Sequence, residues 1–149
     1  MNINYFMNEA IKEANYAFNN NEVPIGGVLI DSKTKAIIHR SYNQVNKEKN
    51  AMHHCEIDLI MHSCKALSRK YLHDTIMFVT LERCLMCASA ISEVHIDKLY
   101  FGAYDDKNGG IENFKFQSKR KHAFKTEIYG GIMENSCKAL IENFFKKLR

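Results

Sequence analysis

Two short segments of the chain carry residue types that bind metals and move protons. His54, Cys55 and Glu56 form the first segment, and Cys84 and Cys87 bound the second, a C-x-x-C. Two cysteines three residues apart at the start of a helix lie on one face, so both sulfurs can reach one ion. The positive end of the helix dipole also favours their thiolate forms. This spacing therefore predicts a metal site.

One imidazole and two thiolates form a three-ligand set for zinc. His54 lies at the predicted start of another helix, in position to complete the set with Cys84 and Cys87. Three protein ligands leave the fourth tetrahedral position to water, as in catalytic zinc sites. Zinc allows such a water molecule to ionise near neutral pH. We therefore predict one Zn²⁺ per chain, held by these three residues.

Glu56 is the predicted catalytic residue. It follows His54 by two residues, and in the first turn of a helix a long side chain can bend over the helix end, beside the metal. There the carboxylate can take a proton from water and pass it to a departing amine. An H-x-E followed by a P-C-x-x-C is the signature of zinc-dependent nucleobase deaminases, and this sequence matches it except at the proline position. The sequence thus predicts hydrolytic deamination of a nucleobase.

A structural zinc site with four protein ligands is the main alternative for these residues. Cys55, His53 or Cys64 would then supply the fourth ligand, and thioredoxin-like redox pairs share the C-x-x-C spacing as well. We favour three ligands because Cys55 lies between His54 and Glu56 and should point into the fold. Cys64 lies on an apolar helical stripe, which is typical of a core residue.

Hydrophobic periodicity predicts the elements that must position these residues. Helices are expected over about Asn4 to Asn19, from near His53, from about Cys84 and over roughly Met133 to Leu148, and strands over Gly26 to Asp31, Ala36 to Arg40, Thr75 to Leu81, Lys98 to Gly102 and Glu127 to Tyr129. This order predicts an α/β fold, a three-layer α/β/α sandwich with a central mixed sheet of about five strands. We expect one domain over residues 1–149.

Composition excludes several classes of protein. The five cysteines are an odd number, which argues against a disulfide framework. No run approaches the ~18 consecutive apolar residues of a membrane span. The N-terminal segment has the pattern of a helix, with Glu9 and Glu13, and not that of a signal peptide. We expect a cytoplasmic protein without membrane contact.

The late part of the chain is basic and aromatic. The formal net charge is +4, and Lys119, Arg120 and Lys121 form a contiguous basic run. Aromatic rings are interleaved with this region, at Phe114, Phe116 and Phe124. Cations neutralise phosphates and exposed rings stack on unpaired bases, so this segment is a candidate RNA-binding surface. The alternative is that the rings belong to the core and that the lysines are only solvated.

Further segments resemble the bacterial tRNA-specific adenosine deaminases of the cytidine-deaminase superfamily over nearly the whole chain. They are Glu22-Val23-Pro24-Ile25-Gly26, Tyr42-Asn43, His54-Cys55-Glu56, Val79-Thr80-Leu81-Glu82, Cys84 to Cys87, Tyr100-Phe101-Gly102-Ala103 and Gly130-Gly131-Ile132. The resemblance implies a cytidine-deaminase-like fold and a homodimer that converts the wobble adenosine of a tRNA to inosine. It also implies an anticodon stem-loop as partner and places Asn43 and Cys55 at the substrate. A protein partner other than the second copy is not implied.

Two departures from the family pattern lie at the predicted site. Arg83 stands where the family usually has proline, and Cys55 stands where it usually has alanine. The departures leave open a non-catalytic zinc-stabilised RNA-binding protein. Because the superfamily shares one zinc motif across several substrates, deamination of a free base or nucleoside, such as cytosine, cytidine or guanine, also stays open. An intact Glu56 argues against the non-catalytic alternative. For the dimer contact we expect apolar residues around Met86, Ile91 and Val94.

Overall fold

A five-stranded mixed sheet forms the centre of the protein in the computed structural model, which describes residues 1–107 and 124–149. The helices in these ranges are α1 (Ile3–Asn19), α2 (Cys55–Leu67), α3 (Leu85–Glu93) and α4 (Glu134–Lys147), and the strands are β1 (Gly26–Asp31), β2 (Ile37–Tyr42), β3 (Thr75–Leu81), β4 (Lys98–Ala103) and β5 (Glu127–Tyr129). None of the described helices is long and apolar enough to span a membrane.

The strand order brings three chain segments to one edge of the sheet. The order is β2-β1-β3-β4-β5, with β1 antiparallel to both neighbours and β3, β4 and β5 parallel. Gly26 at the start of β1 pairs with Tyr42 at the end of β2. Because β3 runs antiparallel to β1, β3 ends at this same edge. The segments that follow β2 and β3 contain His54 and Cys84, so the topology alone brings the predicted ligands together.

Helices cover both faces of the sheet. Alternating side chains of β1 point to opposite faces, with Leu29 in the core beneath α2 and α3 and with Val28 and Ile30 in the core beneath α1 and α4. Leu59 of α2 belongs to the first of these cores, and Met7 of α1 to the second. The three-layer α/β/α sandwich with a mixed sheet is therefore confirmed.

The differences from the predicted boundaries are small and have local causes. β2 extends to Tyr42, two residues beyond the prediction, because Ser41 pairs with Gly27. A polar residue such as Ser41 is typical of a loop, but here its hydroxyl donates a hydrogen bond to the buried Asp58 carboxylate. The second and third helices begin at Cys55 and Leu85, so that His54 and Cys84 are their N-cap residues.

One predicted surface residue lies in the core instead. Ile91 is only 2% exposed and packs beneath the sheet, so it cannot belong to a contact surface between two copies. Val94 also packs against this core, while Met86 is partly exposed. From helical spacing alone, these apolar residues could lie on the solvent-facing side of α3 or on the side that packs against the sheet. The structure places Ile91 on the side that packs against the sheet.

Gly26 permits a close approach of α1 to the sheet. A Cβ atom at this position would lie 2.2 Å from the backbone nitrogen of Ala14 and 2.4 Å from the carbonyl oxygen of Ala10. These are backbone atoms, so the helix itself would have to move. We expect Gly26→Ala to lower the free energy of unfolding by at least about 1–3 kcal/mol, the usual cost of overpacking. Urea denaturation measures this, and an unchanged midpoint would contradict the close packing.

Candidate metal centre and active site

The three predicted metal ligands converge at the starts of two helices. His54 is the N-cap residue of α2 and Cys84 that of α3, and Cys87 lies in the first turn of α3. Nδ1 of His54 lies 3.7 Å from Sγ of Cys84 and 3.5 Å from Sγ of Cys87. All three donor atoms lie within 4.8 Å of one another. Both helices begin at this cluster, and the unpaired N–H groups and positive dipole end of a helix start favour thiolates.

The spacing of these donor atoms fits a tetrahedral zinc ion. Typical bond lengths of about 2.3 Å to sulfur and 2.0–2.1 Å to nitrogen separate the two kinds of ligand by about 3.6 Å. The two observed sulfur-to-nitrogen distances, 3.7 and 3.5 Å, match this separation. The side chains are also those that zinc prefers, one imidazole and two thiols. The residues present therefore fit a zinc site with three protein ligands.

The local contacts prepare one thiol as an anion. A hydrogen bond with Cys87, together with one from His54, lowers the pKa of Cys84 to about 4, although burial opposes this shift. The same contact with the Cys84 sulfur, together with burial, raises the pKa of Cys87. The Cys84 contact also raises the pKa of His54, whose ring has a hydrogen bond with the Ala51 backbone. Such a second contact fixes the orientation of a ligating imidazole.

Glu56 lies beside the donor cluster without belonging to it. Its side chain is buried, and Oε2 lies 3.6 Å from Sγ of Cys87. Burial raises the pKa of this carboxyl, while the positive charges of His54 and Arg83 act against that rise. A carboxyl with a raised pKa exchanges protons more readily near neutral pH. The bent approach over the helix end that the sequence predicts for Glu56 is consistent with this position.

The candidates for a fourth protein ligand lie elsewhere. Cys55 is fully buried, and its thiol donates to the Ser41 carbonyl oxygen at 3.3 Å. His53 contacts the Asp58 carboxylate, and Cys64 packs against the core beneath α2. In the part of the chain that the structure describes, no further histidine, cysteine or carboxylate joins the three donors. The geometry therefore favours an open, catalytic site over a closed structural one.

A cavity opens next to the donors. Its volume is about 240 Å³, below the 300–1,000 Å³ of drug-sized ligand sites. The wall is formed by Glu22, Val23, Ile25, Asn43, Val45, Asn46, His54, Cys55 and Glu56. The amide nitrogen of Asn43 donates to the Val23 carbonyl oxygen at 3.4 Å, which orients the amide. Both predicted substrate residues, Asn43 and Cys55, thus line this cavity, and their contacts with a substrate stay predictions.

Cys55 occupies a space that a neighbouring glycine leaves open. A Cβ atom on Gly27 of β1 would lie 3.0 Å from Sγ of Cys55. The thiol thus fills a gap between α2 and the sheet and lines the cavity from behind. The usual alanine of the resembling family would leave more room there, so the thiol narrows the cavity at this wall.

Glu22 is a residue of this site that the sequence analysis did not single out for a role. It is 1% exposed, and its carboxylate accepts hydrogen bonds from the backbone nitrogens of Asn46 at 2.9 Å and Lys47 at 2.8 Å. These two residues belong to the loop between β2 and α2, which forms part of the cavity wall. In the sequence, Glu22 begins the segment Glu22 to Gly26 that resembles the family, but neither this resemblance nor its place before an apolar segment distinguishes a buried carboxylate from an exposed one.

We expect Glu22→Gln to loosen this loop. One amide oxygen replaces two carboxylate oxygens, so one backbone N–H loses its partner and faces another donor, at a cost of about 1–3 kcal/mol. The KM for substrate should rise more than kcat falls, because the proton carrier itself is untouched. Steady-state kinetics and thermal denaturation measure both effects. Glu48→Gln, an exposed glutamate of the same loop, is the matched control, and equal effects in both variants would contradict this role.

Arg83 introduces a buried positive charge at the site. It is 3% exposed and directly precedes Cys84. Burial lowers its pKa to about 10, and the nearby Glu56 and Glu82 carboxylates counteract that effect, so the guanidinium stays protonated near neutral pH. The sequence indicated only the loss of a proline at this position. The structure adds an electrostatic consequence, because a cation here favours the ionised form of Glu56.

The predicted RNA-binding run lies mostly outside the described residues. This applies to Lys119, Arg120 and Lys121 and to Phe114 and Phe116. Phe124 is described, and its ring stacks on that of His95 with centroids 4.8 Å apart. Lys125, which follows it, is exposed.

Comparison with known proteins places this site in a family. The sequence matches the MafB19-like deaminases over residues 1–149. A tRNA-specific adenosine deaminase of Rickettsia bellii (strain RML369-C) is 41% identical over 144 residues, which cover 96% of this chain and 99% of the relative. A protein of the same name from Bacillus subtilis (strain 168) is 37% identical over 147 residues, covering 97% of this chain and 89% of the relative.

A solved structure extends the similarity to the fold. A chain from a study of A-to-I editing by tRNA:A34 deaminases superposes with a TM-score of 0.85 at 36% identity, over 91% of this chain and 98% of that one. Sequence and fold thus agree over nearly the whole length. The chain therefore belongs to the MafB19-like deaminase family, among the tRNA-specific adenosine deaminases.

Proposed function

We propose that this protein hydrolyses the wobble adenosine of a tRNA to inosine, with zinc held by His54, Cys84 and Cys87. The observation that carries the proposal is the buried Glu56 carboxyl, placed between this three-donor set and the cavity. A metal site with a structural role alone does not require that carboxyl. The relatives named above are tRNA-specific adenosine deaminases, which supports adenosine as the base.

The proposed reaction replaces an exocyclic amine by oxygen and releases ammonia. Zinc held by His54, Cys84 and Cys87 would favour ionisation of water near neutral pH, and this water would be the source of the attacking oxygen. A proton must then move from water to the departing nitrogen. Glu56 carries it, since its Oε2 faces the donor cluster and its pKa is raised by burial. The charges of His54 and Arg83 oppose this rise in pKa and so favour the ionised carboxylate that accepts the proton first.

The size of the cavity supports one nucleobase as the reacting group. A base inside a folded nucleic acid has to turn out of the stack before such a site can reach its amine. In the proposed complex the Asn43 amide, oriented by Val23, hydrogen-bonds the base or the sugar. The Cys55 thiol and the backbone around it form the wall on the side of the sheet.

An RNA partner follows from the names of the relatives and from charge. The chain carries 21 lysines and arginines against 17 aspartates and glutamates, a net charge of +4. Because cations that contact phosphates release counterions, binding to an anticodon stem-loop should weaken as salt increases. A tRNA substrate also implies a cytoplasmic location.

We further infer a homodimer. Large apolar side chains are exposed at Met52, at Met61 of α2 and at Leu85 of α3, where they are 59%, 66% and 45% exposed. These residues, with the partly exposed Met86, replace the buried Ile91 as the expected contact. Sedimentation at micromolar concentration tests this inference, and a monomer throughout the range would contradict it.

The substrate is tested by a binding titration and an activity panel. The zinc-loaded protein is titrated with an anticodon stem-loop at two salt concentrations, and ammonia release is then measured with the stem-loop, adenosine, cytosine, cytidine and guanine. We expect salt-dependent binding and turnover of the stem-loop alone. Charge reversal of Lys119, Arg120 and Lys121 together should weaken turnover of the stem-loop. Turnover of a free base with no binding of the stem-loop would instead indicate a small-molecule deaminase.

A further inference from the structure

Three histidines surround one carboxylate between α2 and β2. The α2–β2 histidine cluster consists of His39, His53, Asp58 and His62. Nε2 of His39 lies 3.3 Å from Oδ2 of Asp58, and Nε2 of His53 lies 3.2 Å from Oδ1. Nδ1 of His62 lies 3.1 Å from Oδ1 as well, and 3.0 Å from the main-chain carbonyl oxygen of Asp58. None of these four side chains takes part in the proposed deamination.

The distances within this cluster suit hydrogen bonds and are also compatible with ligands that share one metal ion. With bonds of about 2.0–2.2 Å, neighbouring nitrogen and oxygen ligands lie about 3.0–3.4 Å apart in octahedral or tetrahedral coordination. The three nitrogen-to-oxygen distances, 3.1 to 3.3 Å, fall within this range. The ligand atoms of His39, Asp58 and His62 all lie within 4.8 Å of one another, as do those of the proposed zinc site.

The cluster combines a fixed anion with accessible rings. The Asp58 side chain is 8% exposed and accepts a hydrogen bond from the Ser41 hydroxyl on Oδ2, which leaves Oδ1 toward His53 and His62. The three imidazoles are 30%, 27% and 56% exposed, for His39, His53 and His62 in turn. An ion can therefore reach the donors from solvent without opening the core.

One ring has to turn before an ion binds. The rings of His39 and His62 are stacked, with centroids 4.7 Å apart and planes 13° apart. Imidazole binds metals in the plane of the ring, so two stacked rings do not direct their lone pairs to one point. His62 is the more exposed of the two, and the terminal torsion of a histidine side chain is broad. An ion beside Asp58 would therefore require the His62 ring to rotate and its Nδ1 to give up the contact with the Asp58 carbonyl oxygen.

We propose that the α2–β2 histidine cluster is a second metal site, which binds a divalent transition-metal ion through His39, Asp58 and His62, with His53 as a further donor. Imidazole together with carboxylate suits Zn²⁺, Co²⁺ or Ni²⁺, whereas Mg²⁺ and Ca²⁺ prefer oxygen ligands alone. Its donors come from β2, from α2 and from the residue before His54. A bound ion therefore links β2 to α2, the helix that begins at His54 and contains Glu56, and stabilises the folded state.

Metal titrations of the full chain test this proposal. Zinc bound per chain is measured by elemental analysis after equilibrium dialysis, for the wild type, His39→Gln, His62→Gln and the matched control His73→Gln, another surface histidine. Co²⁺ separates the two sites, because thiolate ligands produce intense sulfur-to-cobalt bands that a histidine–carboxylate site lacks. We expect two ions per chain in the wild type and in His73→Gln. The second, sulfur-free ion should bind at least about tenfold more weakly in the other two variants.

The thermal midpoint provides a second readout. Added Zn²⁺ beyond one equivalent should raise the midpoint of the wild type and of His73→Gln but not that of His62→Gln. Saturation at one zinc per chain in the wild type would overturn the proposal. Retention of the second ion at full affinity in both His39→Gln and His62→Gln would overturn it as well, since the ion would then lie elsewhere.

Discussion

Replacement of Glu56 by glutamine is expected to abolish most activity while leaving the metal site and the fold in place. The amide has nearly the size of the carboxyl but cannot carry a proton, and such groups typically contribute ~10²–10⁴-fold to the rate. Because Glu56 is not one of the three metal donors, zinc content should stay at one equivalent in this site. The loss should appear in kcat, measured by ammonia release under saturating substrate.

Thermal denaturation and elemental analysis are the controls for this variant. The side chain is buried without being a metal ligand, so neither measurement should indicate lost zinc. Glu93→Gln changes an exposed glutamate at the end of α3 and should leave kcat unchanged. A Glu56→Gln protein with near-normal kcat would mean that another group moves the proton.

Replacement of Cys84 by serine is expected to remove zinc from the site formed by His54, Cys84 and Cys87. Cys84 has the lower pKa of the two thiols, about 4, and is therefore the first thiolate available to the metal. Loss of a partner that only orients a metal ligand typically weakens metal binding about 10–100-fold. Because Cys84 would be a ligand itself, its loss should weaken zinc binding by more than that. Activity should vanish at micromolar zinc. Because bound ligands stabilise the folded state, the thermal midpoint should also fall toward that of the chelated wild type.

Cys64→Ser is the matched control for this experiment. Cys64 is a partly buried cysteine of α2 that packs against the core and lies outside the donor set. Cys64→Ser should lower the free energy of unfolding slightly and leave one zinc ion bound at His54, Cys84 and Cys87. If Cys84→Ser retained that zinc ion, the Cys84 thiol would not be one of its ligands.

The sequence predicted the fold and the donor set because both depend on short patterns. Apolar residues repeat at helical or strand spacing, and the continuous apolar run of β3 indicated a buried strand. His54, Cys84 and Cys87 were identified by residue type and by their place at helix starts, where main-chain N–H groups favour anions. Order and type of the elements therefore followed from local properties of the chain.

What the sequence did not predict depends on contacts between distant residues. The role of Glu22 requires that its carboxylate meets the backbone of Asn46 and Lys47, 24 and 25 residues away. The charge of Arg83 matters only because burial places it near Glu56. The helical spacing on α3 did not reveal that Ile91 faces the sheet. Each case depends on contacts between residues that are distant in the sequence, and a local sequence pattern does not predict such contacts.

Conversion of adenosine to inosine in an anticodon stem-loop, measured by mass spectrometry, tests the proposed function most directly. The zinc-loaded protein should exchange the amine of the wobble adenosine for oxygen and should lose this activity on chelation. Restored zinc should restore the wild type but not Glu56→Gln. If the zinc-loaded wild type leaves the adenosine intact while it releases ammonia from a free base, or if Glu56→Gln converts the stem-loop at the wild-type rate, the proposed function is wrong.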